Sequence, residues 1–325
     1  MKTKGVIATT HIDSHNMKMT KEALESGAKL MNGPRKIKLG IEHDETIPPI
    51  GKGLKAWVEP TDDGEYKLMQ VGELFEEFKV TTLSDGTVLL KQECESDRSP
   101  FVIERRVAVD GMALAYDKVN FVSDSSRLEF LAEIHDKSGV DFETGEFFRK
   151  SVIPDPEIVI QFSKLLVQYF IAKKVLDHVG EESAKLAFDE FKKFYKFAKA
   201  AIVTTLKYVI PKNRPVTYVF EVAGEPIVQF VAKITEANVL LSVLTEDELT
   251  HVLARAFELG NLLGAEKIQY LLNNDGVWEF NYLLSNTGAV IGTEKSFSRR
   301  SKRLELMSSE VEKLAKKNKR KKKKK

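Results

Sequence analysis

Ile41-Glu-His-Asp-Glu-Thr-Ile-Pro-Pro-Ile-Gly51 closes one extended run and leads into the next. The run Lys36–His43 reads as a strand that delivers the pair His43-Asp44 at its end, just ahead of Pro49-Ile50-Gly51. Strands are also expected at Lys4–Thr10, Gly53–Glu59, Tyr66–Leu74, Val88–Cys94, Phe101–Ala108 and Met112–Phe121. Asp62-Asp63-Gly64 and Ser84-Asp85-Gly86 supply Asp-Gly turns between them, a strong short-range hairpin signal. One helix interrupts the strands. Thr20 is its N-cap, Ala23, Leu24, Ala28 and Leu30-Met31 mark its buried side, and Gly33-Pro34 stops it. Residues 1–150 are therefore expected to form a β-rich domain.

The period changes after Pro154 and Pro156. From Glu157, apolar residues at Val159, Phe162, Leu166, Tyr169, Phe170 and Leu176 have helical spacing, and Gly180 ends that helix. A second helix carries Phe188, Phe191, Phe194, Tyr195, Ala198, Ile202 and Leu206, so 151–210 reads as an antiparallel helical hairpin. Residues 211–298 read as a small α+β module. Its strands are expected at Val216–Val222, Ile227–Ile234 and Val239–Leu244. The capping box Thr245-x-x-Glu248 opens a helix bearing Leu249, Val252, Leu253, Ala256 and Phe257. Asn273-Asn-Asp-Gly276 then turns into Val277–Leu284. The fold class expected for the whole chain is α+β.

Composition excludes several classes. With 42% apolar and 30% charged residues over 325 positions the chain is an ordinary globular one. It has no run of about 18 apolar residues, so no membrane span is expected. Met1-Lys-Thr-Lys-Gly5 does not open a secretory signal. The single cysteine, Cys94, cannot form an intramolecular disulfide and fits a reducing, cytoplasmic compartment. The formal net charge of +2 hides two regimes, because nine of residues 316–325 are basic. Residues 1–315 hold 41 basic against 48 acidic groups. The basic tail, 299–325, is expected to end in disorder, since like charges repel and nothing apolar is there to bury.

An extended run, an Asp-x-His turn, a short helix and then a His-Asp pair before Pro-Ile-Gly together resemble the opening of the tailed-phage prohead (capsid maturation) serine proteases. The resemblance covers roughly the first third of the chain. It implies a β-barrel-like N-terminal domain with His43 as general base, a neutral imidazole that takes the hydroxyl proton of a serine. The family serine lies on a later strand, in a pattern close to Asp-Gly-Leu-Ser-Ile-Gly-aromatic. The counterpart here is Asp110-Gly-Met-Ala-Leu-Ala-Tyr116, which puts Ala113 at the serine position. Alanine has no nucleophilic atom. Either activity was lost and the fold kept, or Ala113 replaces an original serine, or another serine is used, Ser99 or Ser123 being nearest. The family's closing strand is matched only faintly, at Val119–Ser123 or Leu128–Ile134, which leaves the third catalytic member unassigned. The role implied is capsid assembly inside the precursor shell in the host cytoplasm, with capsid and scaffold subunits as partners and substrates.

His11, Asp13 and His15 alternate along one face of a strand, but no fourth metal ligand lies nearby, and Asp13 reads as a turn residue. No Gly-rich phosphate loop, Cys-x-x-Cys pair or nucleotide fingerprint occurs, so no cofactor is expected. Residues 316–325 suit non-specific phosphate contact with steep salt dependence, or an acidic protein partner. They carry no aromatic residue to stack on bases. Three readings follow: a capsid-maturation endopeptidase, a non-catalytic scaffold of the same fold that forms homo-oligomers through its helical hairpin, or a nucleic-acid-binding accessory protein.

Overall fold

A computed structural model describes residues 1–12, 18–103, 111–147, 155–163, 165–167, 170 and 181–322, in which helices and strands are mixed. Asp13, His15, Asp110, positions 104–108 of one expected strand, positions 168–169 and 171–180 of one expected helix, and residues 323–325 lie outside the described residues. The chain divides into two units, Met1–Val102 with Asn286–Lys325, and Ile103–Ser285. This partition differs from the expected four segments, because the chain's last strand and helix return to the N-terminal unit.

In the first unit, β1 (Lys2–Thr9), β2 (Lys38–Leu39), β3 (Gly51–Pro60) and β4 (Tyr66–Leu74) form an antiparallel sheet in the order β1-β4-β3-β2. The β3–β4 hairpin turns at Asp62-Asp63-Gly64, where Gly64 takes φ 84°, a value that favours a residue without Cβ. Helix α1 (Lys21–Met31) starts where Thr20 accepts a hydrogen bond from the Ala23 amide. It packs Leu24 and Ala28 against Ala56 and Leu68 on one face of the sheet. Leu24 is fully enclosed, a burial contributing about 1.5–3 kcal/mol. Leu30, expected on that side, is instead 61% exposed. A second antiparallel ladder joins β5 (Lys79–Thr82), β6 (Val88–Gln92) and, from the far end of the chain, β14 (Val290–Gly292). Helix α6 (Glu294–Lys322) follows.

The second unit holds β7 (Ala113–Asp117), α2 (Asp124–Ser138), β8 (Glu143–Phe147), β9 (Glu157–Gln161), α3 (Glu181–Tyr208), β10 (Val216–Val222) and β11 (Ile227–Ile234). It continues with α4 (Ala237–Leu241), α5 (Glu246–Leu263), β12 (Ala265–Leu272) and β13 (Trp278–Ser285). Its strands run β13-β12-β11-β10-β9-β7-β8, mixing antiparallel pairs with the parallel pairs β9/β10, β11/β12 and β7/β8. Phe162, Phe194, Phe220 and Phe230 are fully buried together, with the Phe162 and Phe194 rings 4.2 Å apart.

The opposite parity carries Ala113, Ala115, Val159, Val219 and Val231, and beside them a buried polar row. Gln161, Glu221, Gln229 and Gln269 are register neighbours on β9 to β12. Asn281 donates to Gln269 Oε1 at 2.7 Å, Gln269 to Gln229 Oε1 at 3.5 Å, and Gln229 to Glu221 Oε2 at 3.0 Å.

Several expectations are corrected. Glu157–Gln161 is a strand, not the start of a helix, because a wholly buried strand shows no alternation and its apolar residues mimic helical spacing. Helix is present at 165–167 and 170 and in α3, where Phe194, Ala198 and Ile202 are buried while Phe188 is 45% exposed. Val239–Leu244 contributes α4 instead of a strand, and Leu128–Ile134 lies within α2. The lysine-rich end is helical to Lys322. Lysine is a good helix former, and positive charge suits a helix C-terminus, which outweighs local repulsion there.

Candidate functional site

β2 ends at Leu39, so His43 lies not on a strand end but in a turn closed by the Asp44 amide donating to the Ile41 carbonyl at 2.9 Å. Glu42 and His43 both take left-handed backbone, φ 51° and 54°, uncommon for residues with a Cβ. The His43 side chain is exposed. Asp44 Oδ1 accepts from the Thr46 amide at 2.9 Å and the Thr46 hydroxyl at 2.5 Å, and Asp44 Oδ2 lies 3.6 Å from Arg303 Nε.

The serine-position residue is placed differently. Ala113 opens β7, pairs with Gln161 and Glu143, and is fully buried within the apolar cluster of the second unit. His43 and Ala113 therefore belong to different units. Ser123 is committed to structure, since its hydroxyl caps α2 by accepting from the Ser126 amide at 3.1 Å.

Ser99, the remaining serine candidate, borders a buried polar site of the first unit. Lys52 has no exposed side-chain surface, and its Nζ donates to the carbonyls of Asp97 and Ser99, each at 2.8 Å. Asp97 Oδ1 is 4.0 Å away, and the ammonium lies 5.0 Å from the centre of the Phe101 ring. Burial lowers the Lys52 pKa from the ordinary lysine value, with Cys94, Asp97 and Glu73 opposing it. The Ser99 amide donates to Asp97 Oδ1 at 2.7 Å. Gly288, at φ 69°, closes over the site, for a Cβ there would strike the Ser99 carbonyl and Lys52 Nζ. The segment 94–101 is thus clamped by backbone contacts to an ammonium. Lysine as a clamp was not legible, because its acceptors lie 45 and 47 residues away.

Cys94 donates weakly to the Glu73 carbonyl at 3.6 Å, and burial pushes its thiol up to about 11, so it stays protonated and unreactive near neutral pH. His11 Nε2 sits 2.7 Å from Asp63 Oδ2, a surface pair that, with a Thr61 hydrogen bond, holds the Asp63 carboxyl below its ordinary value. Among the described residues no group of three His, Cys, Asp or Glu side chains could hold a metal, and no helix is long and apolar enough to cross a membrane.

Helix α6 is rooted in the first unit by buried side chains. Arg300 donates to the Pro49 carbonyl at 2.5 Å and to Gln92 Oε1 at 2.6 Å, and its guanidinium lies 4.8 Å from the Phe297 ring centre. Burial pushes its pKa down to about 10. Phe297 meets Phe78 edge-on at 5.0 Å. From Ser301 to Ser309 no residue is buried. Arg303 still reaches Asp44, and the helix continues to Lys322. The sequence marked this stretch only as basic; that one of its arginines is an internal anchor shows in the packing alone.

No known family, curated protein or solved structure matches this chain.

Proposed function

We propose that the chain is a non-catalytic assembly protein that grips a polyanionic partner, nucleic acid above all, with the cationic end of α6. The observation that carries this is the helix itself, fixed at its root by Arg300 and Phe297, with no buried residue from Ser301 to Ser309. Lys316, Lys317, Lys319, Arg320, Lys321 and Lys322 lie on its last turns. A helix delivers these charges as one rod with little chain entropy left to lose, whereas a disordered tail must be ordered on binding. The capsid-assembly role that the resemblance implies is proposed in its non-catalytic form, with capsid and scaffold subunits and further copies of the chain as partners. Ala113 lacks a nucleophilic atom and sits inside a sheet core, and Ser123 is a helix cap.

Binding of duplex DNA to the full chain should weaken about a thousandfold between 50 and 200 mM salt if six phosphates are neutralised. Replacing the six basic residues at 316–322 with Gln should remove most of that slope. Equal affinity and slope in both proteins would sink the proposal.

A further inference from the structure

The face of β1, β4 and β3 turned away from α1 is laid out in register rows. Val6, Met69 and Trp57 form one row, Lys4, Val71 and Lys55 the next, and Lys2, Glu73 and Lys52 the third. Side chains alternate along a strand, so the Ala56 and Leu68 that meet α1 point the other way. Val6 is 52% exposed, Lys2, Lys4 and Lys55 are exposed, and Trp57 and Val71 are half-buried. Of the acidic groups of this face, Glu59 is paired with a lysine, while Glu73 keeps its charge and offsets Lys2 beside it. Glu59 lies 3.0 Å from Lys67, and Glu73 accepts from the Glu95 amide at 2.9 Å and from the Ser96 hydroxyl. Lys4 and Lys55 are left over beside the Trp57 ring.

That ring is held ready for contact. The Trp57 indole Nε1 donates to Glu59 Oε2 at 2.9 Å, which fixes the ring plane, and the Lys4 ammonium lies 4.9 Å from its centre. An exposed cation–π contact is worth about 2- to 5-fold in an equilibrium, a stacked nucleobase about 5- to 150-fold, so a base displaces Lys4 from the ring. Adjacent strands lie about 4.8 Å apart, so Lys4 and Lys55, on either side of Val71, stand roughly 10 Å apart and can take phosphates on either side of a stacked base. A duplex keeps its base faces inside its own stack and offers none to Trp57.

We propose that this sheet face binds single-stranded nucleic acid, a base stacking on Trp57 while Lys4 and Lys55 take the flanking phosphates. It deepens the preceding proposal but rests on different residues, and it supplies the stacking platform that α6 lacks.

The test is titration of the full chain with short homopyrimidine DNA and RNA oligonucleotides, read by tryptophan fluorescence and by anisotropy of a label on the oligonucleotide. The chain has two tryptophans, and Trp278 is only 5% exposed. Quenching should occur in the wild type and vanish in Trp57→Phe, and Trp57→Ala should bind about 5- to 150-fold more weakly. Either sugar satisfies the proposal, and the difference between the arms reports which is preferred. Should Trp57→Ala fail to fold, Lys4→Gln with Lys55→Gln, both exposed, should cut the salt slope by about 0.7 per lost phosphate. Quenching that survives the Gln substitutions at 316–322 supports the sheet site whatever the fate of α6. Unchanged affinity in folded Trp57→Ala, an unchanged slope in the lysine pair, or a polyglutamate peptide bound as tightly as the oligonucleotides would overturn it.

Discussion

Replacing Lys52 with Met should destabilise the protein by about 2–4 kcal/mol. The ammonium donates to two carbonyls at 2.8 Å, and a hydrogen bond to a charged group contributes about 1.5–3 kcal/mol. Met leaves both carbonyls without that donor but needs no ammonium to be stripped of water, so the net loss is smaller than the sum. Urea unfolding should show it as a lower midpoint at unchanged slope. A pH series sharpens the test. Burial lowers the Lys52 pKa, so between that lowered value and the ordinary one of about 10.4 the unfolded chain binds the proton that the folded chain has released. Stability contributed by Lys52 therefore rises with pH through that window, and wild type should gain on Lys52→Met between neutrality and about pH 10. A variant as stable as wild type at pH 7, with a flat difference up to pH 10, would refute the ammonium clamp.

Arg300→Met should cost about 2–4 kcal/mol, since two acceptors lose a charged donor, and should raise hydrogen exchange in both residues 41–49 and the first turns of α6; protection unchanged in either segment would contradict the anchor. Ala113→Ser should lose about 1–3 kcal/mol by placing a hydroxyl in an apolar cluster. Neither it nor the parent should cleave itself or a partner subunit by intact mass, with His43→Ala as the control, and cleavage abolished by His43→Ala would overturn the non-catalytic reading. Hydrogen bonds from Lys79 and Lys91 hold the Glu93 carboxyl down at about 2, so its contribution is complete above the ordinary value of about 4.3 and is lost as pH falls toward 2. Glu93→Gln should flatten the stability profile in that range, and a profile parallel to wild type would disprove the assignment.

What the sequence revealed was whatever is encoded locally. The Asp-Gly turns, the Thr20 and Thr245 caps and the strands Tyr66–Leu74, Val216–Val222 and Ile227–Ile234 rest on neighbouring residues, and they form as read. Strand β9 has the spacing of a helix because it is buried on both faces, so its pattern has no polar side to betray the period. Helix α2 leaves little trace in the sequence because only Phe130, Ile134 and Ser138 are buried along it, one narrow stripe among polar residues. The site was harder still. Lys52 becomes a clamp, and Trp57 a ring covered by Lys4, only when β1, β4 and β3 come into register, and no spacing along the chain announces that.

The polar row of the second unit acts as a checksum on strand order. The pairs β9/β10 and β11/β12 are parallel, so no tight hairpin sets their alignment. Slip β11 by one residue and Gln229 swings toward the side that carries Phe220, while Gln269 and Glu221 each face Val228 or Phe230 in place of an amide. Each amide or carboxylate stranded in this way forfeits about 1–3 kcal/mol. The misaligned sheet is then several kcal/mol uphill before any apolar contact is counted. A string of amides ending on one carboxylate lets a mixed sheet with few local instructions detect its own misassembly.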